Sequence, residues 1–94
     1  MPPRLPRGTT WAPGTGVKKY RVTVPRHGTV QFGDKRYQHY RDRTPLRLYA
    51  AQDHGDKARR ASYRRRHAGI RLKDGSRAID RRYSAAWFSY HFLW

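Results

Sequence analysis

Apolar and polar positions alternate most clearly between Lys18 and Phe32. Tyr20, Val22 and Val24 are interleaved with Lys19, Arg21 and Thr23. That period of two predicts a β-strand with one apolar and one basic face. The run stops at Pro25-Arg26-His27-Gly28, where a proline and a late glycine suit a turn. Val30 and Phe32 resume the alternation, so a hairpin is expected, ending at Gly33-Asp34. Residues 36–40 are a candidate third strand. A lone hairpin is marginal in water, so another segment must cover its apolar face. Tyr20, Val22, Val30, Phe32, Tyr63 and Trp87 are the expected core residues.

A different pattern precedes the hairpin. Residues 1–16 hold four of the six prolines and three glycines. Proline lacks a donor and glycine weakens regular structure, so no strand or helix is expected there. This segment reads as an extended arm, and residues 17–94 as the folded domain. Trp11 is the one large apolar group centred in the arm. It either docks on a partner or packs on its own domain.

Residues 41–52 read as a loop or short strand. A helix is expected over 53–67, with Asp53 or Asp56 as N-cap and Gly69 as the stop. Cations crowd its last turn, where the helix dipole favours them. Only Ala58, Ala61 and Tyr63 form its uncharged stripe, so it should lie flat, most simply on the hairpin. Residues 70–76 alternate briefly and turn at Asp74-Gly75. Asp80 or Ser84 suits the cap of a last helix over 85–94. Its expected face is Trp87, Tyr90, His91 and Trp94 at i, i+3, i+4 and i+7. The same residues favour strands, which leaves a strand open. Together these elements make a small α+β single domain. It combines an N-terminal β-hairpin or three-stranded antiparallel sheet, one basic helix and an aromatic C-terminal helix.

Charge sharpens this picture. The chain has 94 residues, with 22 Lys and Arg against 6 acids, a formal net charge of +16. Such a field opposes compaction and calls for an anionic partner. Three Trp, seven Tyr and three Phe are too many for a disordered basic tail. There is no cysteine, so neither a disulfide nor a thiolate metal site can brace the core. No stretch is apolar enough to span a membrane. The first residues lack the apolar run of a secretory signal, which points to the cytosol or nucleus, or a particle assembled there.

The expected binding surface is the basic helix. Lys57, Arg59, Arg60, Arg64, Arg65 and Arg66 surround it, with Arg21 and Lys19 added from the polar face of the hairpin. Arginine forks match phosphate and carboxylate geometry. Trp11 and Trp94 are the candidate partner-contact aromatics. Base-specific readout is not expected, because no zinc finger, helix-turn-helix or aromatic ribonucleoprotein motif is present. His54 and Asp56 form an HxD pair, for which capping is a better account than cation binding amid so many cations. No nucleophile elbow, phosphate-cradling loop or paired carboxylates point to an enzyme. Neither a metal nor another cofactor is expected.

Three blocks carry a resemblance. The first is Lys18-Lys19-Tyr20-Arg21-Val22 followed by Thr29-Val30-Gln31-Phe32-Gly33. The second is His54, Asp56, Arg59, Tyr63, Arg66 and His67 in the register HxDxxRxxxYxxRH. The third is Ala86-Trp87-Phe88-Ser89-Tyr90-His91-Phe92-Leu93-Trp94. In this order they resemble a family of small basic uncharacterised proteins of large nucleocytoplasmic DNA viruses, including giant and algal viruses. Residues 41–52 look like an insertion, and the last block lacks the family's leading Gly and an inner Trp. The resemblance implies one compact unit and a place in the virion, assembled in host cytoplasm or nucleus. A minor capsid or virion core component is therefore expected, seated on an acidic protein surface through its arginines. The alternative is a sequence-nonspecific protein that packages a viral genome by binding the DNA or RNA backbone.

Overall fold

The computed structural model describes residues 2–94. Three strands form one antiparallel sheet in chain order: β1 Thr10–Pro13, β2 Tyr20–Val24 and β3 Gly28–Phe32. Two helices follow, α1 Lys57–Ala68 and α2 Ala85–Phe92. Single turns of 3-10 helix lie at Ala50–Gln52 and Ala78–Asp80. The chain is a small α+β domain.

The hairpin has the alternation its sequence predicts. Tyr20 faces Phe32 and Val22 faces Val30 across the β2–β3 pair. Tyr20, Val22 and Val24 are buried, while Arg21 and Thr23 are exposed on the other face. The turn closes with His27 N–H donating to the Val24 carbonyl at 3.0 Å.

The third strand is not where it was expected. It is β1, inside the proline- and glycine-rich segment, with Trp11 opposite Val22 and Pro13 opposite Tyr20. An edge strand tolerates proline because one row of its N–H groups has no ladder partner. The drive for pairing is Trp11. Its ring meets Tyr20, Phe32, Phe88 and Phe92 at centroid distances of 5.2–6.2 Å. Residues 36–40 form no strand. Gly33, at φ +78°, turns the chain off the sheet, and a Cβ there would lie 2.9 Å from the Lys19 Cβ. The following residues wrap over the start of β2, with Lys35 N–H donating to the Val17 carbonyl at 2.8 Å.

The last segment is a helix. Ser84 caps it, its hydroxyl accepting from Trp87 N–H at 3.1 Å. The buried face differs from the expected one. Trp87, Phe88 and Phe92 are buried, together with Leu93 just beyond the helix. Tyr90, His91 and Trp94 are half-buried. Phenylalanines have no polar atom to satisfy, so they take the face against the sheet. Phe88 stacks on Phe32 at 5.3 Å. Val30 and Tyr63, both expected inside, are half-buried.

Helix α1 does not lie on the hairpin. It packs beside the Ala78–Asp80 turn and against Trp94, with no residue of its own fully buried. Asp56 caps it, its carboxylate accepting from Ala58 and Arg59 N–H groups. Residues 70–76 form no strand, only a bridge between Arg71 and Arg77 around the Asp74-Gly75 turn.

Candidate polyanion interface

The six acids, all aspartates, are each used inside the fold. Asp34 pairs with Arg36 at 2.8 Å and Asp80 with Arg77 at 2.7 Å. Asp56 caps α1, and Asp74 accepts from Ser76 in a tight turn. Asp42 and Asp53 hold an internal network described below. Among the described residues, all but two of the 22 Lys and Arg side chains therefore lack an ion pair. The positive field is not cancelled within the molecule.

The cations of α1 divide into two sets. Lys57, Arg59, Arg65 and Arg66 are exposed. Of these, only Arg59 makes a side-chain hydrogen bond among the described residues, to Gln38 Oε1 at 3.0 Å. Arg60 and Arg64 instead fold back. Arg60 Nε donates to the Trp94 carbonyl at 2.7 Å, and Arg64 Nη2 donates to the same oxygen at 3.0 Å. Arg60 also covers the Tyr40 ring and Arg64 the Tyr90 ring. These two arginines brace the end of the aromatic segment, so their removal would disturb the fold as well as the field. Arg21 is exposed on the outer sheet face, between Ala12 and Gln31.

Two expected site residues are not free. Trp11 is half-buried and packs against the core through four ring contacts. Trp94 is stacked on Tyr63 at 4.1 Å and 5°. His54 tilts against Trp94 at 5.2 Å. His54 is itself held by Asp56 N–H donating to its Nδ1 at 2.9 Å. The HxD pair is a capping device.

Lys19 is the clearest correction. It was expected on the basic face, but it is only 1% exposed, so no partner reaches its ammonium. The wrap after Gly33 covers it. Its Nζ donates to the Tyr37 carbonyl at 2.8 Å and to His39 Nδ1 at 2.7 Å. His39 Nε2 then donates to Asp53 Oδ1 at 2.5 Å. With Lys19 as donor, the imidazole carries its proton on Nε2 and links the ammonium to the Asp53 carboxylate. Beside this relay, Asp42 accepts from the Tyr20 hydroxyl, from Thr44 N–H and Oγ1, and from Tyr49 N–H. Asp42 N–H donates to Asp53 Oδ1 at 2.7 Å, which joins the two groups. The network ties loop 36–53 to β2. Alternation could not reveal it, because the partners of Lys19 and Tyr20 lie between residues 37 and 53, a stretch with no period.

The network sets a pH signature. Burial lowers the Lys19 pKa from 10.5 to about 8, against the attraction of Asp42, Asp34 and Asp53. Between those values the unfolded chain holds the proton that the folded chain has lost, so stability rises with pH across about 8 to 10.5. Burial raises Tyr20 and Tyr63 from 10.0 to about 12. Here the folded chain keeps its protons longer, so stability falls as pH climbs through about 10 to 12. Burial also lowers His39, His54 and His91 below 6.5, so stability falls again as pH drops under that value. The melting temperature, followed by circular dichroism, should peak near pH 10. A flat or falling profile from pH 8 to 10 contradicts a desolvated Lys19.

No protein-family model, curated protein or solved structure matches the chain. Among the described residues, no three His or Asp side chains gather where they could hold a metal ion. Among the described residues no helix is long and apolar enough to cross a membrane.

Proposed function

We propose that this protein is a non-enzymatic structural component of a virion core that binds nucleic-acid backbone through the exposed cations of α1. One observation carries the binding reading. The fold uses all six carboxylates internally and still leaves Lys57, Arg59, Arg65 and Arg66 exposed along one helix without an ion pair. A helix so charged repels itself, and neutralisation by phosphates relieves that repulsion. The virion setting rests on the three-block resemblance to proteins of large nucleocytoplasmic DNA viruses. Structural support fits the compact core, whose aromatic rings join sheet to helix.

The partner is a backbone rather than a base sequence. The exposed cations sit on one helix and are long and flexible, so they track charge and not base edges. An acidic capsid surface is the competing partner. The test is the double variant Lys57→Ala/Arg65→Ala, in which neither side chain makes a hydrogen bond among the described residues. Its stability should stay within about 0.5 kcal/mol of the parent. Its binding to duplex DNA should weaken, and the log–log salt slope should become shallower by about 2. Unchanged affinity and slope would remove α1 from the mechanism.

A further inference from the structure

A cleft of about 550 Å³ opens between α1, α2 and the end of the sheet. That size lies within the range of small-ligand sites, roughly 300–1,000 Å³. Four residues of α1 line it: Arg59, Tyr63, Arg66 and His67. They stand at i, i+4, i+7 and i+8, so one helix face presents two guanidiniums and two rings together. Lys18 adds a third exposed cation from the strand side. Among the described residues Asp34 is the only side-chain carboxylate in the lining, and Arg36 neutralises it at 2.8 Å.

The rings are stacked, not scattered. His67 lies on Tyr63 at 3.8 Å and 19°, and Tyr63 lies on Trp94 at 4.1 Å and 5°. His54 tilts over the Trp94 end of this stack. Among the described residues no further ring covers the His67 end. His67 Nδ1 donates to the Tyr63 carbonyl at 3.0 Å, which fixes the ring plane. A second recess of about 280 Å³ adjoins the first and shares Arg59, Arg66 and Trp94 with it. The two guanidiniums thus border two neighbouring recesses, with the ring stack lining the larger one.

We infer that this cleft binds single-stranded nucleic acid, seating a base against the ring stack and the adjoining phosphate between Arg59 and Arg66. The inference deepens the backbone-binding reading and rests on it. A free phosphate would use the arginines and leave the rings idle. A run of acidic side chains would pair with the guanidiniums but offers no flat ring for the stack. A duplex would reach the outer cations but keeps its bases paired and out of the cleft.

The experiment titrates the full chain with four probes in about 150 mM salt, read by fluorescence anisotropy. They are an oligothymidylate of about 10 nucleotides, an abasic strand of the same length, a duplex of equal charge, and an oligo-aspartate. The oligothymidylate should bind at least about 10-fold tighter than the abasic strand, the value of roughly one stacked base. It should also bind more tightly than the duplex. Arg59→Ala/Arg66→Ala should lose at least about 10-fold more oligothymidylate affinity than Lys57→Ala/Arg65→Ala, which removes equal charge outside the cleft. Equal binding of base-bearing and abasic strands overturns the cleft assignment while leaving backbone binding intact. Oligo-aspartate binding as tight as the oligothymidylate assigns the cleft to an acidic protein instead. Failure of both nucleic-acid strands and the duplex to bind sinks the cleft and the backbone reading together. The wild-type comparison of strands decides the matter even if the cleft variant does not fold.

Discussion

Phe32→Ala should lower the unfolding free energy by about 3–5 kcal/mol. Phe32 ends β3 and is 1% exposed. Its ring stacks on Phe88 at 5.3 Å, tilts against Tyr20 at 5.8 Å and meets the edge of Trp11 at 6.0 Å. One side chain thus joins β1, β2 and α2. Truncation loses the transfer free energy of the ring and opens a space that three rigid aromatics cannot close. A chain of this length has only about 5–15 kcal/mol of net stability, so the variant should be close to unfolded at body temperature. Urea unfolding followed by tryptophan fluorescence measures the effect. A loss under about 1 kcal/mol would mean the sheet and α2 are not packed through this ring.

A comparable loss, about 3–5 kcal/mol, is expected for Asp42→Ala, although the residue lies in a loop. Asp42 is 2% exposed and accepts four hydrogen bonds. Its removal leaves the Tyr20 hydroxyl, Thr44 N–H, Thr44 hydroxyl and Tyr49 N–H without their acceptor. Each orphaned buried group costs roughly 1–3 kcal/mol, reduced where water can enter. Tyr20 transmits the damage inward, because its hydroxyl also accepts from Leu48 N–H at 2.8 Å. Asp42→Asn keeps the shape but places an amide donor against existing donors, so it should fall between the parent and Asp42→Ala. Equilibrium unfolding of the three proteins checks the order. Parity of Asp42→Ala with the parent would show that loop 36–53 is not anchored through this carboxylate.

Much of the fold was legible because its signals were local. The hairpin announced itself through Tyr20, Val22 and Val24 alternating with polar neighbours, and through the Pro25–Gly28 break. Helix α1 was readable from Asp56 and the cations of its last turn, and α2 from Ser84. What escaped depends on long-range packing. Strand β1 has poor intrinsic propensity and forms because Trp11 fills the sheet-to-helix space. Lys19 continues the polar phase of the strand pattern, yet the wrap that follows Gly33 buries it. Arg60 and Arg64 look like their neighbours in sequence, and only the position of Trp94 separates them from the free cations. The ring stack in the cleft was half visible. The Arg59, Tyr63, Arg66 and His67 spacing lies on one helix face, but the stacking of Trp94 on Tyr63 needed the fold.

The central claim is that the unpaired charge of α1 serves a phosphate backbone. Its most direct test is the affinity of the full chain for duplex DNA across a salt series from about 50 to 200 mM. Four exposed cations on α1 predict a log–log slope of about −3.5 or steeper, with binding still measurable at a Kd of about 1–100 µM near 150 mM salt. Binding that vanishes by that salt would contradict the claim and turn the charge toward an acidic protein surface.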